Sequence, residues 1–190
     1  MQTRHTFSVY VEDKPGVLNR IASLFRRRAF NIESLTVGHT ETPGVSRMTI
    51  LVNSDVQGAR RLEANLYKLV NVLRVHDITA EPAVYRELVM IKVATRTLEN
   101  RIHVLQLAEV FRARVVDVAP DSVIVETTGT EDKIEGLLEV LRPHGVLELV
   151  RTGRVGMVRG PQSVMVEPAP QRPRSERPAA ADDGSISYSV

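Results

Sequence analysis

The chain has 190 residues, of which 43% are hydrophobic, and a formal net charge of +2, so it can bury one or two cores and does not require a polyanionic partner. It contains no cysteine, which excludes disulfides, thiolate nucleophiles and cysteine-bound zinc. No apolar run approaches the length of a membrane span, and residues 1–5 lead into a strand without an export signal. These features predict a soluble cytoplasmic protein.

The first strand and the first helix are predicted from a change in the spacing of the apolar residues. Before residue 12, apolar side chains occupy every second position, which predicts a half-buried strand with Phe7, Val9 and Val11 on its inner face. After a Pro-Gly turn the spacing becomes that of a helix, with apolar residues at Val17, Leu18, Ile21, Leu24 and Phe25.

The turn between this strand and helix is a candidate binding site for a small carboxylate. Gly16 lets a ligand approach the backbone, and the N–H groups of Gly16, Val17 and Leu18 lie at the positive end of the helix dipole. Asp13 is expected to cap the helix, and Pro15 to stand where a missing N–H group costs least. Taken alone, a strand-turn-helix of this kind is more often only a structural corner than a binding site.

The rest of the first half continues with a hairpin, a helix and a strand. Residues 31–39 and 45–53 are predicted strands around a Pro-Gly turn, and residues 70–80 form a closing strand. Between them Asp55 caps a second helix whose apolar stripe contains Leu62, Leu66 and Leu69. The order strand, helix, strand, strand, helix, strand is that of a ferredoxin-like sandwich.

The same order returns after a linker at residues 81–84. Strands are predicted at residues 85–95, 114–118, 122–128 and 145–150, and helices at residues 99–111 and 131–141, the second capped by Thr130. The sequence therefore predicts an α+β protein with two tandem ferredoxin-like (βαββαβ) domains, residues 1–80 and 85–160. The second domain lacks a Pro-Gly turn after its first strand, and the proline-rich residues 161–190 are predicted to be a disordered tail.

Four segments in order resemble the small regulatory subunits of acetolactate synthase, also called acetohydroxyacid synthase: residues 31–37, 46–50, 68–75 and 151–160. The resemblance implies that residues 1–80 are an ACT domain that binds a branched-chain amino acid, and that two ACT domains pair in a homodimer. It also implies a large catalytic subunit as partner, which the small subunit activates and makes sensitive to valine. Thiamine diphosphate, magnesium and FAD are expected only in that partner, with no cofactor and no catalysis in this chain.

The resemblance places the valine site at seven residues: Asp13, Pro15, Gly16, Val17, Leu18, Asn31 and Ile32. Asn31 carries both a donor and an acceptor and is expected to bridge the polar ends of the amino acid, while Val17 and Ile32 line its apolar end. The sequence departs from the family at Asp13, where Asn is frequent, and at Ala29, where Gly is usual.

Three other functions were weighed against this one. RNA binding through the basic run at residues 26–28 is disfavoured because aromatic residues make up only 4% of the chain. An enzyme is disfavoured because the five histidines have no metal-binding spacing and no nucleotide loop or nucleophile elbow is present. A stand-alone ACT-domain amino-acid sensor stays open, although a DNA-binding version would need a helix-turn-helix that the sequence does not supply.

Overall fold

The computed structural model describes residues 2–161, so the predicted tail lies outside the described residues except for Pro161. The first half contains β1 (Thr3–Glu12), α1 (Val17–Arg27), β2 (Ile32–His39), β3 (Val45–Ser54), α2 (Val56–Leu66) and β4 (Val72–Asp77). The second half contains β5 (Ala83–Ala94), α3 (Leu98–Val110), β6 (Arg114–Val118), β7 (Ser122–Gly129), α4 (Glu131–Leu141), a 3₁₀ turn (Arg142–His144), β8 (Val146–Arg151) and β9 (Val155–Val158). The predicted combination of helices with two sheets is confirmed.

The first sheet has the antiparallel strand order β2-β3-β1-β4. Its inner face carries Phe7, Val9 and Val11 of β1, and α1 packs on it through four of its five predicted apolar residues, all but Leu18. At about 25 cal/mol per Å² of buried apolar surface, side chains of this kind supply most of the stability of a small sheet-and-helix layer. The core of this half therefore follows directly from the two apolar periods.

The second sheet has the corresponding order β6-β7-β5-β8, with β9 added beside the first residues of β5. Val89, Ile91 and Val93 of β5 face α3 and α4 in a second core. Strand β9 was not predicted, and the linker prediction is too long, because Ala83 and Val84 already pair with Val158 and Met157.

Strand β1 is buried on both faces, so the prediction of a half-buried strand is wrong. Thr6, Ser8 and Tyr10 on its outer face are as inaccessible as its apolar residues. Arg47 of β3 lies over this face and joins it to the second half of the chain. Its Nε donates to Ser8 Oγ at 2.7 Å, its guanidinium lies 5.6 Å from the centre of the Tyr10 ring, and its Nη2 donates to the carbonyl oxygen of Gly156 in β9 at 2.5 Å. Polar residues are tolerated there because these contacts satisfy part of their hydrogen bonding.

The ends of the helices differ from the sequence predictions in detail. Asp55 caps α2 as predicted, since its Oδ1 accepts from the Gly58 N–H at 2.6 Å. Thr130 stands at the N-cap of α4, but its side chain makes no capping hydrogen bond. Helix α2 ends at Leu66, and Leu69 reaches the core from a turn rather than from the helix. Among residues 2–161, no helix is both long enough and apolar enough to cross a membrane.

Candidate functional site

The turn before α1 is open around Gly16. Gly16 is the N-cap residue, with φ 84°, and a Cβ built on it would meet nothing within 4 Å. A left-handed backbone favours glycine at this position. Helix α1 begins at Val17, so Pro15 precedes the helix instead of standing in its first turn. The turn thus offers space for a ligand directly at a helix start.

Asp13 does not cap α1, contrary to the prediction, because no side chain caps this helix. Its backbone N–H instead donates to the carbonyl oxygen of Gly44 at 2.8 Å, which directs the residue toward the β2–β3 turn. Its Oδ2 lies 3.3 Å from Nδ1 of His39 at the end of β2. The carboxylate is therefore left beside the turn, without a capping role that would occupy it.

Two of the three predicted amide donors are available in the turn. The Val17 N–H donates to the Lys14 carbonyl oxygen at 3.4 Å, whereas the N–H groups of Gly16 and Leu18 have no acceptor among residues 2–161. The Val17 side chain is buried in the core, but that of Leu18 is 45% exposed. Leu18, rather than Val17, consequently presents an apolar surface to a ligand here.

A group of side chains that the sequence analysis missed holds the turn in place. The Glu12 carboxylate accepts from Asn71 Nδ2 at 2.5 Å and lies 3.0 Å from Lys14 Nζ, while Arg20 Nη1 donates to Asn71 Oδ1 at 2.7 Å. The hydrogen bond from Asn71, together with that from Lys14, lowers the pKa of Glu12. Asn71 lies far from the turn in the chain, so no local sequence pattern predicts its contact with Glu12.

Asn31 and Ile32 lie at the other end of the sheet from the turn. Ile32 pairs with Val52, whereas His39, which neighbours the turn, pairs with Ser46. The eight residues of β2 separate the two ends by roughly 25 Å, at about 3.3 Å per residue. Within one chain the structure therefore brings residues 13–18 together but does not bring Asn31 and Ile32 to them.

Strand β2 forms an edge of the first sheet. Val37 near its middle is 49% exposed, and Asn31 at its start is exposed as well. An edge strand presents unpaired backbone N–H and C=O groups, and natural proteins cover such edges or pair them. The turn and Asn31 thus lie at the two ends of an edge strand. The outer edge of this strand has no partner strand among residues 2–161.

Comparison with known proteins identifies the family. A family model described as "AHAS small subunit-like ACT domain" matches residues 7–74, and one described as "Small subunit of acetolactate synthase" matches residues 86–160. The probable acetolactate synthase small subunit of Archaeoglobus fulgidus is 50% identical over 157 residues, which are 83% of this chain and 98% of that protein. The chain belongs to the acetolactate synthase small-subunit family.

Two further members of this family align with the chain over nearly their whole length. The acetolactate synthase small subunit of Mycobacterium bovis is 47% identical over 84% of this chain and 95% of its own length. The crystal structure of the Thermotoga maritima acetolactate synthase small subunit is 41% identical, covers 84% of this chain and 99% of that one, and superposes with a TM-score of 0.77. The similarity therefore extends over both halves.

A groove of about 560 Å³ lies between the first sheet and β9, and it reaches the turn only at His39. Its walls are formed by Thr36, Val37, Gly38, His39, Arg47, Thr49, Val84, Arg86, Val155, Gly156, Met157 and Val158. None of these residues carries a carboxylate, so the groove offers no charged acceptor for an ammonium group. The turn has both free amide donors and the Asp13 carboxylate, and it matches an amino acid better than this groove does.

Proposed function

We propose that this chain acts as the regulatory small subunit of an acetolactate synthase in branched-chain amino acid biosynthesis. In this role it associates in the cytoplasm with the large catalytic subunit, raises the activity of that subunit and transmits feedback inhibition by valine. Catalysis, thiamine diphosphate, magnesium and FAD belong to the large subunit. The proposal is supported by membership of the small-subunit family and by the free N–H groups of Gly16 and Leu18 beside the Asp13 carboxylate.

The turn can satisfy both charges of a valine molecule. A carboxylate placed over Gly16 and Leu18 would accept hydrogen bonds from two free N–H groups at the N-terminus of α1, where the helix dipole also favours an anion. The ammonium group would lie toward Asp13, whose carboxylate accepts hydrogen bonds and is not used for capping. The exposed side chain of Leu18 supplies an apolar surface for the isopropyl group.

A second copy of the chain would complete this site. Strands β1 and β2 are both antiparallel to β3, so they run in the same direction and the turn lies at the C-terminal end of β2. If two copies pair antiparallel along their exposed β2 edges, the first residues of one β2 lie beside the last residues of the other. Asn31 and Ile32 of one copy would then face the turn of its partner. We therefore propose a homodimer with two shared effector sites.

The test of this function is reconstitution with the large subunit encoded in the same genome. Alone, this chain is expected to form no acetolactate from pyruvate, and added to the large subunit it is expected to raise the rate. Valine is then expected to reduce that rate, and to have less effect on the large subunit alone. An unchanged rate over a range of subunit ratios and salt concentrations, with valine still bound by this chain, would instead identify a stand-alone amino-acid sensor.

A further inference from the structure

Four charged side chains and one serine join the start of β2 to the second half of the chain. Glu33 Oε2 accepts from Arg4 Nε at 2.8 Å, and Arg4 Nη1 donates to Glu131 Oε1 at 2.7 Å. Glu131 Oε2 accepts from Arg154 Nη2 at 2.6 Å, and the Arg154 backbone N–H donates to Ser34 Oγ at 3.3 Å. Because Glu33 and Ser34 are neighbours in the chain, these contacts close a loop, which we call the interdomain ring.

Glu33 reaches the interdomain ring because β2 begins with a β-bulge. Ile32 and Ser34 pair with consecutive residues of β3, so Glu33 is an extra residue in the strand. A bulge of this kind bends the strand and redirects a side chain. The bulge follows Asn31 and Ile32 directly, so a ligand that moves these two residues moves the bulge next.

The contact between the two halves at this point is tight. Gly153, with φ +83°, passes so close to Ser34 that a Cβ built on it would lie 2.9 Å from the Ser34 Cβ. Next to it, the guanidinium of Arg154 lies 5.2 Å from the centre of the Tyr85 ring, at cation–π distance. Packed contacts of this kind transmit a displacement instead of absorbing it.

The interdomain ring contains equal numbers of acidic and basic side chains. Its two carboxylates face two guanidinium groups, and the hydrogen bond from Arg4, with smaller contributions from Arg154, holds the pKa of Glu131 below its usual value. The side chain of Glu131 is 31% exposed, so water screens the ion pairs only in part. Glu131 is also the first residue of α4, where the helix dipole favours a carboxylate.

We propose that the interdomain ring couples effector binding to the second half of the chain. This coupling rests on the proposed function and extends it. Valine contacts Asn31 and Ile32, and these residues shift the bulge at Glu33. The interdomain ring then passes the shift to α4 and to the segment before β9. Ring residues act by positioning and do not touch the effector. A chain that has lost one ring carboxylate should therefore still bind valine but transmit less inhibition to the large subunit.

The experiment replaces Glu131 with Gln and, in a second variant, Glu33 with Gln. The matched control is Glu126→Gln, which also removes one carboxylate from an ion pair with an arginine, the 2.7 Å pair with Arg114 within the second sheet. All three full-length chains are measured for valine affinity by calorimetry and for valine inhibition of the reconstituted synthase. The ring variants are expected to bind valine within about twofold of the parent, while the valine-induced fall in rate shrinks about threefold or more.

A second measurement needs neither valine nor the large subunit. Amide hydrogen exchange of the free chain is expected to rise about threefold or more at residues 31–35 in Glu131→Gln, although the changed residue is in the other half, and to stay unchanged there in Glu126→Gln. If exchange at residues 31–35 does not respond, the coupling is absent, whatever the fate of the proposed function. If exchange responds and the parent neither binds valine nor activates the large subunit, the proposed function fails and the mechanical coupling stands.

Two results with the reconstituted enzyme would also overturn the coupling proposal. The first is full valine inhibition in both ring variants. The second is a fall in valine affinity as large as the fall in inhibition, because this would place the ring carboxylates in the effector site itself. Circular dichroism and thermal melts of each variant establish that the chains compared are folded.

Discussion

Replacing Gly16 with Asp tests the position of the effector carboxylate. A Cβ at Gly16 would meet nothing within 4 Å, so the substitution creates no clash. It does place a carboxylate beside the free N–H groups of Gly16 and Leu18, where the effector carboxylate is proposed to bind. Loss of one charge-assisted hydrogen bond costs about 1.5–3 kcal/mol, which weakens binding by about 10- to 150-fold.

Gly16→Asn is the matched control for backbone strain. Gly16 has a left-handed φ of 84°, and any side chain there costs roughly 1 kcal/mol, with Asn and Asp tolerated best. The two variants therefore share the strain and differ in one negative charge. Both are expected to melt a few degrees below the parent and within about two degrees of each other.

The assay is a valine titration of the reconstituted synthase with the parent and both variants. The valine concentration for half-maximal inhibition is expected to rise at least about tenfold with Gly16→Asp. The rise with Gly16→Asn is expected to be several-fold smaller than that. Activation of the large subunit without valine is expected to persist in both. Equal shifts for Asp and Asn would show that strain, rather than charge, acts here, and no shift in either would remove the effector from this turn.

Three further predictions concern stability and pH. Ala29 has a left-handed φ of 56°, so Ala29→Gly is expected to raise the free energy of unfolding by up to about 1 kcal/mol, measured by urea denaturation. Gly156→Ala would place a Cβ 2.7 Å from the Tyr85 ring, and it is expected to lower that free energy by about 1–3 kcal/mol in the same assay; an unchanged midpoint would contradict this packing. The hydrogen bond from Asn71 lowers the pKa of Glu12 in the folded chain. The stability that ionised Glu12 contributes is therefore present above pH 4.5, its pKa in the unfolded chain, and is lost as the pH falls through its folded-state pKa. Glu12→Gln should therefore destabilise the chain at pH 7 and matter progressively less as the pH falls below 4.5, and an equal loss of stability at every pH would refute this.

The apolar periods of the sequence were sufficient to predict most of the fold. The alternation at Phe7, Val9 and Val11 and the helical spacing from Val17 to Phe25 each specify one inner face, and those faces meet in the core. Strand β9 could not be predicted in this way. Its four residues carry no period of their own, and they become a strand only because the first residues of β5 extend beyond the second sheet.

The members of the candidate site are a prediction from the sequence, and only the structure shows how these residues are arranged. The residues around Gly16 were found from a local turn pattern, and the cap predicted for Asp13 failed because a distant residue, Gly44, binds its backbone. Asn31 was selected by family resemblance, and the sequence gives no distance between it and Gly16. Only the strand register shows that the two lie at opposite ends of β2, since this depends on pairing across the whole sheet.

The most direct measurement of the central claim uses two variants mixed in one sample. Gly16→Asp and Asn31→Ala are each prepared as pure proteins, then unfolded and refolded together, so that about half of the dimers contain one chain of each kind. If every effector site combines Gly16 of one copy with Asn31 of the other, a mixed dimer keeps one unaltered site and loses the other. We predict that each variant alone leaves the reconstituted synthase insensitive to moderate valine, and that the mixture regains valine inhibition. Absence of any recovery, with mixed dimers demonstrated by mass spectrometry, would contradict the shared site and with it the account of how this chain senses its effector.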